Sequence, residues 1–389
     1  MNMSILRSCV LSVCVVWVGL ADAEVQKPKI GLLLPFSGVY AHLGKATRDG
    51  FLMGLEGEGA SDGSDFDYDV IQIDSKGKPS VAPELSSELL RKDRVDFIIG
   101  PVHSGVLQGM LSVLRNKEVI VIVPNAGAQT ATAQLCAKNI FRTSFSSWQT
   151  GYPMGKVALD KGYKNIYTLS WNYTGGKEVL GGFKDYFENN GGAIVKEVLV
   201  PFPSTNFQPY ISDIAATKPD AVFVFFAGGG AIEFVKSYGE MGLGKTIPLL
   251  GSGFLTEGTV DAQGESAEGI LTTLHYAETL KLPKNLSFRK RFKNKFDYEA
   301  DLYAVQGYDT GVLVRKALSK VGGDASDKGN LIEVIESLKF DSPRGNFKLS
   351  AAHNPVQNIY LREVKNGKNE VISVAMENLE DPAIGCELK

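Results

Sequence analysis

The run KIGLLLPFSGVYAHLG, residues 29–44, decides the fold. Its first six residues are almost wholly apolar, and Pro35 with the Ser37-Gly38 pair closes them. A short apolar run bounded by turn residues reads as a strand buried on both faces, as in a parallel sheet. Working outward, a helical pattern fits 45–55, then a strand at 69–73 and a helix at 83–91. A strand at 96–99, a helix at 106–115 and a strand at 119–123 complete the series. This alternation predicts a parallel sheet covered by helices on both faces.

The rhythm restarts after Trp148, with helices at 151–159, 177–189, 210–216 and 232–238. Strands at 165–169, 193–200, 221–226 and 247–250 alternate with them. Two units of one rhythm, without sequence repetition, imply two lobes of one α/β architecture. The last third differs: helices at 288–296, 302–320 and 331–338 precede extended segments at 355–363 and 370–375. That order predicts a chain that passes between the lobes more than once.

The N-terminus sets the compartment. Residues 1–8 carry Arg7, residues 9–20 (CVLSVCVVWVGL) are apolar, and Ala21-Asp22-Ala23 has the small-x-small form of a cleavage site. This is the order of a secretory signal peptide, and roughly 12 apolar residues fall short of the ~20 that cross a bilayer as a helix. The mature chain is predicted to begin at Glu24, in the periplasm. No later run is long and apolar enough to span a membrane; AVFVFFA at 221–227 reads as a buried strand. Of the cysteines, Cys9 and Cys14 leave with the signal. Cys136 and Cys386 remain, which in an oxidising compartment invites one disulfide, with two unpaired buried thiols as the alternative.

Composition narrows the function classes. The 389 residues are 44% hydrophobic and 22% charged with a formal charge of −3, which fits a globular chain of two domains. The densest basic cluster, Arg289-Lys290-Arg291 with Lys293 and Lys295, alternates with Phe288, Phe292 and Phe296 at helical spacing. It reads as a solvated helix face, so no nucleic-acid partner is expected. Residues 239–246 (GEMGLGKT) satisfy the phosphate-loop pattern letter for letter. That chemistry needs a strand before the loop and a helix after it. Here a helical pattern precedes and Ile247-Pro248-Leu249-Leu250 follows, so the match is read as a helix-to-strand turn. His42, His103, His275 and His353 form no metal or protease spacing, and no G-x-S-x-G elbow occurs. No enzyme, metal or cofactor is therefore expected.

In open parallel sheets, ligands bind beyond the carboxyl ends of the strands. The loops there, at 35–44, 100–105, 124–128, 171–176, 227–230 and 251–257, are rich in Gly, Ser, Asn and aromatic residues. Such residues let backbone N–H groups approach a ligand while rings enclose its apolar part.

The segments KIGLLLPFSGVYAHLG, DFIIGPVHSGV, VIVPNAGA, NIFRTSFSSWQTG, FVFFAGGGAIEFVK, YAVQGYDTGVLV and SPRGNFKLSAAHNPVQNIYLREV run in order from residue 29 to 365. In that order they resemble the type I periplasmic binding proteins of ABC transporters, in the branch of leucine/isoleucine/valine receptors. The resemblance implies two Rossmann-like lobes with parallel sheets, joined by three hinge strands near 143–146, 274–277 and 344–347. Lobe one would hold 24–144 and 276–345, lobe two 145–275 and 346–389. By matching segments, Ser104 and the Asn125-Ala126-Gly127-Ala128 turn correspond to the family's carboxylate site. Tyr173 matches a ring that closes on the ligand, and Leu43 or Tyr40 an apolar contact from lobe one. Gly228, Gly229 and Phe254 match the remaining lobe-two loops, while His103 and Trp148 add rings to the expected cleft. Arg142 could pair with a carboxylate, but its place in a hinge strand favours a structural salt bridge.

One departure matters. Amino-acid receptors of this family set an acid in lobe two against the ligand's ammonium, and these loops offer none before Glu233 and Glu257. A buried ammonium without an anion is strongly disfavoured. The expected ligand is a carboxylate without an α-amine, of the benzoate, hydroxybenzoate or hydroxycinnamate type, delivered by a monomer to an inner-membrane ABC permease. The alternatives are a branched-chain amino acid or amide receptor that uses Glu257, and a soluble partner of a signalling receptor.

Overall fold

The computed structural model describes residues 26–57 and 66–388; the predicted signal segment and the start at Glu24 lie outside them. Strand β1 (Lys29–Leu34) is buried along its last five residues, as its apolar run requires. It pairs in parallel with β2 (Asp69–Asp74) on one side and β3 (Phe97–Ile99) on the other. With β4 (Ile120–Val123) and β5 (Ile140–Arg142) these form a five-stranded parallel sheet in the order β2-β1-β3-β4-β5. Helices α1 (Ala41–Glu56), α2 (Ala82–Ser87) and α3 (Ser104–Leu114) connect its first four strands.

The chain then enters a second lobe through α4 (Ser147–Asp160). There β6 (Asn165–Trp171), α5 (Thr174–Asn189), β7 (Ala193–Val200), α6 (Gln208–Thr217) and β8 (Ala221–Phe225) follow in turn. They continue into α7 (Gly228–Glu240), β9 (Leu249–Ser252), α8 (Val260–Gln263) and β10 (Leu271–Leu274). Helices α9 (Pro283–Phe296), α10 (Leu302–Lys320) and α11 (Lys328–Ser337) come next, before the hairpin β11 (Lys339–Ser342) and β12 (Gly345–Lys348). Finally β13 (Gln357–Lys365) and β14 (Lys368–Leu379) join the second sheet, whose order is β14-β13-β10-β9-β8-β6-β7. These last two strands pair antiparallel, so the second sheet is mixed while its centre is parallel.

Helix α10 returns to the first lobe because α1 can approach it closely. A Cβ on Gly50 would lie 1.9 Å from the Ala304 carbonyl oxygen, and one on Gly307 would lie 2.0 Å from that of Thr47. Any side chain there would force the two helices apart. At the phosphate-loop look-alike, α7 precedes residues 243–245 and β9 follows, the order that offers phosphates no helix N-terminus. Cys136 and Cys386 are joined as a disulfide with Cα atoms 5.6 Å apart, tying the chain after β14 to the loop before β5.

Three details depart from the sequence reading. Strand β5 has only three residues, too few to show a pattern. Helix α4 starts at Ser147 rather than 151, because Ser146 and Gln149 cap each other's backbone N–H groups. The expected hinge strand near 344–347 falls on β12, which pairs with β11 through Lys348 as a two-stranded hairpin.

The hairpin turn nevertheless belongs to the hinge through Arg344. Its buried guanidinium donates to Asp309 on α10 (2.8 Å), to the Ser144 carbonyl (2.9 Å), to the Thr143 carbonyl and to Gln357 at the start of β13 (2.6 Å). Ser342 also donates to Asp309 (2.8 Å), and the Tyr360 hydroxyl donates to the Arg344 carbonyl (3.0 Å). One side chain thus fastens the first passage, α10 and β13 to the hairpin. Burial pushes the Asp309 carboxyl above the usual range against the pull of Arg344, so both partners need each other. We predict that Asp309→Ala costs about 3–5 kcal/mol in urea unfolding, because it strands a buried charge. The double variant Asp309→Leu/Arg344→Met should regain the part of that loss due to the stranded guanidinium, while still lacking its bonds to Thr143, Ser144 and Gln357; a double variant no more stable than Asp309→Ala would refute the pairing.

Candidate functional site

Each lobe turns the carboxyl ends of its central strands toward the other. The cleft between them is lined from both sides. Its polar lining comes from the starts of helices. Ser104 opens α3, Ser147 opens α4, and Gly175 is the second residue of α5. Backbone N–H groups at helix starts lack intrahelical partners and carry partial positive charge, so these ends favour an anion. Asn125 and Gly127 add the turn after β4.

Behind that turn lies Arg142, fully buried, which donates to the Ala128 carbonyl (2.5 Å) and to Asn354 (3.1 Å). It braces the turn, and among the described residues it makes no salt bridge, contrary to expectation. Burial lowers its pKa to about 10, partly offset by the charges of Asp381 and Glu178.

The apolar lining is a belt of rings. Phe145 and Phe254 pack at 4.9 Å between centroids, Phe225 and Phe254 at 5.9 Å, Tyr173 and Phe225 at 6.2 Å, and Phe254 and Tyr303 at 6.4 Å. Leu43 and Val102 fill the first-lobe side. At the rim, Tyr40 and Tyr173 face each other across the lobes, and burial raises both hydroxyl pKa values. His103 stacks on Tyr173 at 5.2 Å. Its Nδ1 accepts from the Gly105 amide (3.0 Å), and burial pushes its pKa down to about 4. The ring is therefore neutral with its proton on Nε2, a buried atom without a partner among the described residues.

The described residues that line this cleft include no Asp, Glu, Lys or Arg. Glu257 is not available to it: its carboxylate takes Arg362 (2.7 Å) and the Leu302 amide (2.9 Å). The acid beneath the lining is Glu178 on α5. Both its oxygens lie 3.0 Å from the Gln129 amide of the first lobe. Burial pushes its pKa up to about 7, against the backbone hydrogen bond from Gln129 and the charge of Arg142.

Of the residues singled out in the sequence, Tyr40, Leu43, His103, Ser104, Asn125, Gly127, Tyr173 and Phe254 line the cleft. Ala126 and Ala128 are buried in its supporting turn rather than in its wall. Gly228 and Gly229 form the first turn of α7 just outside the lining, which Ala227 supplies. Trp148 does not reach the cleft. It points to the outer face of α4 and α5, where its Nε1 donates to Asp185 (2.8 Å) and its ring stacks on Tyr152 at 4.1 Å. The capping box that starts α4 at Ser147 turns that serine inward and the next residue outward. Phe145, Ser147, Phe225 and Tyr303 line the cleft without having been anticipated. Phe225 lies at the end of a recognised apolar strand, whereas Tyr303 reaches the cleft only by the return of α10.

A family model described as periplasmic binding protein matches residues 27–369. The chain is similar to Leu/Ile/Val-binding protein homolog 6 of Brucella melitensis, 31% identical over 86% of this chain and 87% of the relative. It is similar to a solute-binding protein of an ABC transporter from R. palustris, solved in complex with benzoate. That structure is 41% identical with a TM-score of 0.88, over 93% of this chain and 100% of the other. A solute-binding protein from Rhodopseudomonas palustris BisB5, solved with 3,4-dihydroxy benzoic acid, is 31% identical with a TM-score of 0.85, over 92% and 99% of the two chains. With two α/β lobes about a lined cleft and a family match across nearly its whole described length, the chain belongs to the periplasmic binding protein family, as an ABC-type solute-binding receptor.

Proposed function

We infer that the cleft captures an aromatic carboxylate and presents it, lobes closed, to the membrane permease of an ABC importer. The observation that carries this reading is the lining: anion-favouring helix starts at Ser104 and Ser147, a belt of rings, and no charged side chain. A carboxylate suits the first, a benzene ring the second, and an ammonium group would find no anion. In this reading Ser104, Ser147, Asn125 and the amides of the 125–128 turn hold the carboxylate. Phe145, Phe225, Phe254 and Tyr303 enclose the ring, and Tyr40, His103 and Tyr173 close over it. The benzoate-bound and dihydroxybenzoate-bound relatives support the ligand class. The receptor acts outside the inner membrane, exported by the signal segment and mature from Glu24.

The names of the Brucella relatives favour a second reading, a branched-chain amino acid receptor. Thermal unfolding separates the two. Benzoate or 4-hydroxybenzoate at a hundredfold excess over Kd should stabilise the protein by about 2.7 kcal/mol, seen as a rise of several degrees in Tm. Leucine should give no shift; a rise with leucine and none with either acid would transfer the cleft to the second reading. Phe254→Ala should weaken aromatic-acid binding by roughly tenfold or more, the order expected for losing a buried ring.

Closure itself should depend on pH through Glu178. Its carboxyl binds a proton more tightly in the closed form, where its pKa is about 7, than in water. Protonation therefore favours closure, and the gain is lost as pH rises through 7. Affinity for benzoate, which stays ionised throughout, should strengthen on the order of tenfold from pH 7.5 to 5.5. Glu178→Gln keeps an acceptor for Gln129 and should flatten that dependence. Calorimetry showing an equal pH slope in both proteins would remove Glu178 as the cause.

A further inference from the structure

The cleft is joined to the hinge by a chain of buried polar side chains. Asn125 in its lining donates from Nδ2 to Gln306 Oε1 on α10 (2.7 Å). Gln306 Nε2 in turn lies 3.2 Å from His275 Nε2, at the second passage between the lobes. All three residues are at least 95% buried. His275 stacks on Phe145, whose ring lies in the cleft (5.5 Å). Burial and the nearby positive charges of Arg344 and Arg362 hold the imidazole neutral.

The polarity of this chain follows from its ends. With Gln306 Nε2 donating, His275 Nε2 must accept, and the ring's single proton sits on Nδ1. That Nδ1 is buried and has no partner among the described residues. A buried donor without an acceptor is an unfavourable arrangement, so the chain rests in a state it can be drawn out of. Both amides can turn over while every heavy-atom distance is kept, provided the imidazole proton moves from Nδ1 to Nε2. In the reversed chain His275 Nε2–H donates to Gln306 Oε1 and Gln306 Nε2–H donates to Asn125 Oδ1. The Asn125 Nδ2–H group is then free for the cleft. His275 loses one proton from Nδ1 and gains one at Nε2, so its charge is unchanged.

We propose that Asn125, Gln306 and His275 form a reversible polar relay that selects a carboxylate in the cleft and registers its arrival at the hinge. The proposal rests on the aromatic-carboxylate reading above. Without ligand, Asn125 gives its N–H to Gln306. A carboxylate beside Asn125 repels the amide oxygen and attracts the amide N–H, which reverses the chain. Gln306 and His275 are positioning residues in this scheme, since neither lines the cleft.

The test is the 15N spectrum of the protein labelled at histidine nitrogens, with and without saturating benzoate. The His275 signals are identified by their loss in His275→Gln. His275 is expected as the Nδ1–H tautomer in the free protein and as the Nε2–H tautomer in the complex. In calorimetry, Gln306→Met should cut the preference for benzoate over benzamide about tenfold. Benzoate binding with His275 in the same tautomer throughout overturns the relay and leaves the receptor reading intact. Absence of binding by any aromatic acid removes that reading and the relay with it.

Discussion

The segments that run between the lobes are held against one buried guanidinium. Arg344 brings a rigid fork of five N–H donors to a point where three parts of the chain meet. It fixes the carbonyls of Thr143 and Ser144, the carboxylate of Asp309 and the amide of Gln357. A lysine could not reach these directions at once, having one nitrogen. Arg362 repeats the device in the second lobe, joining Glu257, Thr272, Tyr276 and Gly253. Glu257 then reaches the Leu302 amide at the start of α10. In the proposed reading, passages pinned in this way leave the lobes their internal packing and confine the motion to a bend between them.

The cleft inherits its character from that constraint. A bend brings together whatever stands at the carboxyl ends of the two sheets, which here are helix starts and rings. The contacts that span the rim include His103 on Tyr173 and Phe202, Thr174 on Gln108, and the Gln129 amide on Glu178. The last carries a cost, because burial opposes the charge on Glu178. In the proposed reading, a rim so composed leaves a ligand that touches both lobes to shift the population toward closure.

The sequence carried the architecture because parallel strands buried on both faces are continuous apolar runs, and β1, β4 and β8 are such runs. The positions of the cleft loops followed from the strand ends. What it could not carry was direction within a loop. Ser147 and Trp148 are neighbours, yet one lines the cleft and the other stacks outside, a choice made by the capping of α4. Tyr303 and Gln306 were invisible as site residues because α10 reaches the first lobe only through glycine-sized gaps against α1. A glutamate within an amphipathic helix reads as a solvated face, and only the approach of Glu178 to Gln129 reveals otherwise.

These features converge on the question of charge. An amino acid and an aromatic acid present the same carboxylate, so the helix starts at Ser104 and Ser147 would serve either. What separates them is an anion for the ammonium. Glu257 is spent on Arg362 and the start of α10, and Glu178 turns both oxygens to the Gln129 amide. Freeing Glu257 would strand Arg362 in the core, and turning Glu178 inward would unpair the rim. Either acid could meet an ammonium only by dismantling a contact that holds the lobes in place. The structural roles already held by its acids support the proposed reading, in which the ligand's only charge is the carboxylate.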